Sequence, residues 1–471
     1  MNFFFLQANP HGHSAALPET DGYGLSAWLN LGLLILMILA LALEQKIHAH
    51  KSIITGLAAM VALILGEALG ILPALEDQSG HVPFFIEFID WGVIAIILGS
   101  SLFVEVASKS GIFSWLAIKI TKATKGDPFK LLAAYGLMTV LFSALLNNVT
   151  AMIIVGSLTV VSLEKLNKRD MLLGFLLCEG LLTNIGGLLT LISSVPNIIV
   201  GNAAGISFAE FFYVSAPYVL IATIVTIFMA AYVFKIKRLK TDIEKAEAAR
   251  LISAFDENDA ITSRQFFINS WILFGLFIVA MATTDMIPYL RDLGIGFVAI
   301  AFALVIMIRE KSSTDKIYAK MDWDLLFFFA FLFVVIGVME HAKVLDMIGG
   351  LVTGLIDLGD GPGQITMLWS SAAASSVTDN IPLAAMLAKT VEPIAAADPT
   401  FPSNYWWSII YGANLGGNIT PIGSASTVVA VTVMARNKIK MGFVDFIKRA
   451  ILFALVQLVL ASGYVYLLGI L

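Results

Sequence analysis

Asp379 sits in SSVTDNIP (residues 375–382), between the apolar runs QITMLWSSAAA and LAAMLA. A carboxylate carried to bilayer depth costs about 2.5–3.5 kcal/mol on insertion scales, so such a residue marks function unless a structural role is shown. Asp can take up and release a proton or hold a small cation. Its neighbours Thr378 and Asn380 supply neutral oxygens and donors. Asp is also a favoured helix N-cap, and the two roles are compatible. A second polar island, NNVT (Asn147–Thr150), lies in an equally apolar setting, as does Glu179 in LLCEGLL. Both Asp379 and Glu179 are candidate proton carriers. Asn147 and Asp379 are the candidate pair for Na⁺.

The surrounding composition is that of a membrane protein. Of 471 residues, 58% are hydrophobic and 13% charged, with mean hydropathy +0.88, against about 25% charged in soluble domains. A net charge of −5 without a basic concentration gives nucleic acid nothing to bind. The one cysteine, Cys178, rules out disulfides and thiolate clusters as organising chemistry. His11 and His13, close together near the N-terminus, read as incidental. No Lys or Arg precedes the first short apolar run, which argues against a cleaved secretory signal.

Hydropathy and Lys/Arg bias then lay out the crossings. Spans are expected at 25–43, 53–72 and 91–107, with EQKIHAHK and the 109–130 stretch as cytoplasmic loops. Residues 131–163 are too long for one span and have basic flanks on both sides. A re-entrant hairpin of two short helices with NNVT at its tip is predicted. Residues 171–194 form a broken span interrupted at TNIGG, and 216–234 returns to KIKRLK. After a solvated linker at 241–263, spans follow at 268–287, 297–308 and 325–339. A second hairpin at 363–390 with acidic flanks, a second broken span at 406–434 and a last crossing at 451–471 complete the chain. The fold class expected is all-α and polytopic, with about ten transmembrane helices, two re-entrant hairpins and two broken helices. The division is a tail at 1–24, a first repeat at 25–240, the linker and a second repeat at 264–471. By the charge rule both termini lie outside.

An internal repeat supports this division. Asp90-Trp91 recurs as Asp322-Trp323, and Asn147-Asn148 recurs as Asp379-Asn380 at the same offset along the chain. TNIGGLLTLIS (183–193) then recurs as ANLGGNITPIG (413–423) at nearly that offset. With opposed charge patterns, the two halves read as inverted repeats. That architecture places substrate and ions near the midplane among discontinuous helices.

These motifs, together with SSVPNIIVGNAAGISFAEFF and GSASTVVA, resemble the ion transporter superfamily over about residues 50–470, in the branch of arsenite permeases, NhaD-type antiporters and the melanosomal P protein. The resemblance implies a homodimer with a scaffold and a moving transport part, and an elevator-like motion. It places substrate and ion contacts at Asn147, Asn148 and Thr150, then Thr378, Asp379 and Asn380, at the hairpin tips. In the broken helices it places them at Asn184, Thr190, Ser193, Ser194 and Asn197, and at Asn414, Asn418, Thr420, Ser424 and Ser426. Relatives carry acid where this chain has Asn147 and Ser194, so the first site here is uncharged.

The expected function is secondary active transport, not catalysis: no GxxxxGK[ST] motif is present, and no His lies in a membrane-centred motif for a hydrolase. Na⁺/H⁺ antiport is the leading expectation, with Na⁺ or H⁺ as coupling ion and no other cofactor. Arsenite or antimonite efflux and uptake of an organic or inorganic anion, citrate-like included, are the alternatives. The expected setting is a bacterial inner membrane.

Overall fold

The computed structural model describes residues 23–72 and 83–470. His11, His13, nearly all of the expected 1–24 tail and most of the acidic loop before α5 lie outside them. The described chain is helical throughout. Helices α1 (Leu25–Ala42), α2 (Glu44–Ile47), α3 (Lys51–Ala68) and α4 (Phe84–Glu87) lead into α5 (Trp91–Ser108), α6 (Ile112–Ala123), α7 (Pro128–Leu145) and α8 (Asn148–Lys165). Then come α9 (Leu172–Gly186), α10 (Val195–Ala203), α11 (Phe208–Val233) and α12 (Asp242–Ser253). The second half holds α13 (Arg264–Thr283), α14 (Pro288–Met307), α15 (Thr314–Tyr318), α16 (Trp323–His341), α17 (Val344–Ile356) and α18 (Pro362–Val377). It ends with α19 (Asn380–Ala397), α20 (Asn404–Gly416), α21 (Ala425–Arg436) and α22 (Phe443–Leu468).

The order α5–α11 recurs as α16–α22. One constant offset relates the starts of α5 and α16 (Trp91, Trp323), α6 and α17 (Ile112, Val344), α8 and α19 (Asn148, Asn380), and α9 and α20 (Leu172, Asn404). Part of the sequence repeat is helix-start chemistry. Asp90 and Asp322 are N-caps that accept from the Val93 and Leu325 N–H groups, each at 3.0 Å.

Among the described residues, ten helices are long and apolar enough to cross a membrane, but they are not the expected ten. Helices α7 and α8 have 18 residues each, so the first hairpin is built of full-length rather than short helices. The two broken spans are instead made of pieces below that length. The first break falls at 187–194, after TNIG has closed α9, rather than within TNIGG. Three further expectations are corrected. The stretch expected as a loop at 109–130 contains α6, whose Ile112, Phe113 and Ala117 are buried. Lys51, expected in a loop, belongs to the first turn of α3. The linker is docked rather than solvated: Ala248 and Ile252 of α12 are buried, Glu257 pairs with Lys122 at 2.5 Å, and Lys165 lies over the Phe255 ring. Gly111 (φ 87°) passes so close to the Ala260 carbonyl that a Cβ there would fall 1.8 Å from its oxygen, which only glycine allows.

Helices α9 and α20 form the centre; nearly every residue of each is buried, as expected of helices that are apolar all round. Small residues permit the close crossings. A Cβ on Gly416 would sit 2.3 Å from the Ala372 carbonyl of α18, and one on Gly186 2.7 Å from the Val140 backbone of α7. Outside this centre α3 packs along α16, and α14 along α5.

Candidate functional site

Each hairpin turns tightly, and the turn residue caps the second helix. Asn147 accepts from the Thr150 N–H at 2.8 Å, and Asp379 from the Ile381 N–H at 3.0 Å. Capping fixes both side chains at the tips. Ser194 and Ser424 take the equivalent positions before α10 and α21.

These four helix starts line one cavity of about 880 Å³. Of the predicted residues, Asn147, Asn148, Asn184, Ser193, Ser194, Thr378, Asp379, Asn380, Ser424 and Ser426 line it. Thr150 lines a smaller cavity of about 140 Å³ that adjoins the first at the Asn147 tip. The two cavities share Asn147, Ser193, Val195, Asp322 and Leu325.

Thr190, Asn197, Asn414, Asn418 and Thr420 line neither cavity and, with several of the lining residues, hold the site's frame. The hydroxyls of Thr190 and Thr420 donate to the Ala144 and Ser376 carbonyls, each at 2.6 Å, strapping each loop to the back of its hairpin. Ser193 and Asn197 satisfy the Gly187 carbonyl at 2.6 Å each. The amide of Asn184 donates to Asn418 at 2.8 Å and to Ser424 at 2.9 Å, while Ser426 donates back to it at 3.1 Å. Its repeat counterpart Asn414 donates to Asn197 at 2.9 Å and accepts from Ser194 at 2.7 Å. Each half therefore reaches into the loop of the other at equivalent positions, which satisfies backbone and amide groups that water does not reach.

Glu179 is not brought to the site. It is fully buried between α9 and α8, accepts from Thr159 at 2.5 Å, and its second oxygen has no partner among the described residues. It lines neither cavity. Cys178 beside it is a buried thiol, as expected.

Sequence reasoning missed a charged group at the site. Lys51 from α3 donates to Asp379 at the second tip, with Glu44 at 3.9 Å on its other side. Asp322 and Asp324 line the same cavity. Asp324 is fixed by the N–H and hydroxyl of Ser52 at 3.1 and 2.6 Å, and His50 lies 3.7 Å from it. Burial holds the Glu44 carboxyl above its usual range. The cavity thus has two characters. Glu44, Asp322, Asp324 and Asp379 line it with Lys51, and so do the N-termini of α8, α10, α19 and α21, whose dipoles favour anions. Ser143 and Ser375 were also missed. They tie the hairpins to α9 and α20 through the Thr183 and Ala413 carbonyls, each at 2.6 Å. A lone Ser in an apolar helix gives no signal for such a bond.

Comparison with known proteins places this architecture. The family model described as "Citrate transporter" (CitMHS) matches residues 33–412. An uncharacterized transporter of Mycobacterium bovis is 30% identical over 414 residues, covering 87% of this chain and 93% of its own. The mouse P protein is 25% identical over 473 residues, covering 85% of this chain and 55% of its own. Among solved structures, the YdaH transporter of Alcanivorax borkumensis superposes with a TM-score of 0.57 at 14% identity, over 90% of this chain and 98% of that one. At that identity the likeness concerns the fold alone.

Proposed function

Since the chain belongs to the citrate transporter (CitMHS) family of the ion transporter superfamily and is a membrane transporter, we propose that it exchanges Na⁺ for H⁺ at Asp379 by alternating access. The observation that carries this reading is the Asp379 carboxylate, delivered by a hairpin tip into a cavity reached by both tips and both broken-helix loops. A carboxylate in that position binds either a proton or a small cation, and the neutral oxygens around it complete a cation's shell. Asp322 and Asp324 add to the cavity a negative field that concentrates cations. In this reading the two halves are inverted repeats and the cavity opens to the cytoplasm, because Lys51, Asp322 and Phe443 at its wall belong to the basic-flanked ends of their helices. The transporter then works as a homodimer in a bacterial inner membrane, with an elevator-like motion carrying the tips between the two sides.

A second reading, transport of a small organic anion such as citrate, is supported by the helix N-termini that line the cavity and by the family's description. Proteoliposomes loaded with a pH-sensitive dye separate the two. Na⁺, Li⁺, K⁺, arsenite and citrate are added in turn across the neutral pH range. Proton movement on adding Na⁺ or Li⁺, abolished in Asp379→Asn, is the expected result. If citrate moves protons and neither alkali cation does, the exchanger reading fails and the anion reading replaces it. A response to arsenite alone would overturn both.

A further inference from the structure

The site contains a cation of its own, and its mounting is asymmetric. Lys51 is on α3, whose next residue, Ser52, clamps Asp324 of α16 through two hydrogen bonds. The lysine is thus presented from a fixed base, whereas Asp379 is at the turn of a hairpin. Glu44, the other carboxylate within reach, is 3.9 Å from the ammonium and takes no hydrogen bond from it, whereas Asp379 does, so Asp379 is the charge that Lys51 answers.

The other half of the repeat provides a built-in control. Helix α14 packs on α5 as α3 packs on α16. Asp90-Trp91 pairs with Asp322-Trp323, so Gly92, the next residue, pairs with Asp324. A Cβ on Gly99 of α5 would meet the Ala299–Ile300 backbone of α14, and Phe331 of α16, the repeat position of Gly99, lies against Gly56 of α3; this pairs Gly56 with Ile300 and, at the same offset, Ser52 with Gly296. The residue preceding Gly296, and so the counterpart of Lys51, is Ile295. The counterpart of Asp379 is Asn147. Lysine and aspartate are both present in one half and both replaced by uncharged residues in the other. A lysine kept for general packing would have no reason to follow the charge of the tip.

We propose that Lys51 is the tethered counter-cation of Asp379: it occupies the carboxylate when the site is empty and must withdraw when the transported cation binds. The inference rests on the reading of Asp379 as the exchange carboxylate. An empty elevator site with a bare buried carboxylate would be expensive to move through the membrane. Lys51 neutralises that charge on the side where the cavity opens, and the hairpin cannot leave α3 until a proton or cation takes the lysine's place. That makes movement conditional on loading, as coupling requires. Lys51 acts here as a positioning and gating residue.

The experiment is Na⁺-dependent proton flux in proteoliposomes for wild type, Lys51→Met and Lys51→Arg. If Lys51 occupies Asp379 about nine-tenths of the time, removing it tightens apparent Na⁺ affinity about tenfold. Lys51→Met should therefore show a half-saturating Na⁺ concentration about tenfold lower, with proton leak in the absence of Na⁺, and Lys51→Arg should restore wild-type behaviour on both counts. A second measurement needs no variant. Amine-reactive labelling of the wild-type protein, read at Lys51 by mass spectrometry, should rise several-fold in Na⁺ over N-methylglucamine at equal ionic strength. Unchanged half-saturation in Lys51→Met, or unchanged labelling in the wild type, overturns the inference while leaving the exchanger reading in place. Absence of Na⁺- or Li⁺-driven proton flux in the wild type removes both.

Discussion

Replacing Asn414 with Leu tests whether the amides of the broken helices are ligands or frame. Asn414 is 1% exposed and makes two bonds to the other half, to Asn197 at 2.9 Å and from Ser194 at 2.7 Å, besides one to the Ile410 carbonyl at 2.8 Å. Leucine fills the same space with nothing to donate or accept. Hydrogen bonds between membrane helices couple by about 0.6 kcal/mol each, so two are worth about 1.2 kcal/mol. The larger effect is the orphaned group. Asn197 is fully buried, and leaving its amide oxygen unpaired costs about 1–3 kcal/mol. Ser194 lines the cavity and regains water, so its loss is minor. The expected destabilisation, set by the orphaned amide, is about 2 kcal/mol. A double-mutant cycle with Ser194→Ala should show a coupling of about 0.6 kcal/mol. The assay is reversible unfolding of purified protein in mixed micelles, alongside Na⁺ half-saturation in the folded fraction. A variant with wild-type stability but lost Na⁺ affinity would refute the reasoning and make Asn414 a ligand.

Three other outcomes are expected. Gly416→Ala drives a Cβ to 2.3 Å from the Ala372 carbonyl, and separating α18 from α20 should cost about 1–3 kcal/mol in the same unfolding assay; wild-type stability would show that the helices can slide apart freely. Glu179→Gln should keep exchange within about twofold, since the residue reaches neither cavity and the amide can still accept from Thr159; loss of proton coupling in well-folded protein would install Glu179 as the carrier. The hydrogen bond from Lys122 holds Glu257 below its usual value of 4.5, so its contribution to docking of the linker is present above that pH and lost as pH falls through the lowered value. Protection of residues 241–263 from proteolysis should therefore fall on acidification, and Glu257→Gln should show reduced protection already at neutral pH; equal protection in both proteins at all pH would exclude the pair.

The sequence made legible what apolar length and polar interruptions encode. The long helices, the hairpin turns at Asn147 and Asp379 and the repeat of the broken helices all leave local marks: polar islands in apolar runs, Asp or Asn at helix starts, paired glycines where helices cross. Two kinds of feature escaped. Helices α6 and α17 are 12 and 13 residues long, below the length that apolar run-counting recognises, and lysines on α6 made it resemble a loop. The contacts that decide the site join residues far apart in the chain: Asn184 to Ser424, Asn414 to Ser194, and Lys51 to Asp379. The rule that assigns Lys to cytoplasmic loops hid Lys51 because it scores composition and is blind to what a long side chain reaches. The absence of acid at Asn147, visible from the outset, acquired a meaning only when its counterpart at Asp379 was found with a lysine against it.

The central claim, that one carboxylate serves both proton and cation, is tested most directly by the half-saturating Na⁺ concentration of wild-type transport measured as a function of pH. If H⁺ and Na⁺ exclude each other at Asp379, linkage requires that concentration to rise as the pH falls, by at most about tenfold per unit for one proton displaced. A half-saturating concentration that does not change with pH, in protein that still exchanges Na⁺ for H⁺, would place the two ions at separate sites and contradict the account.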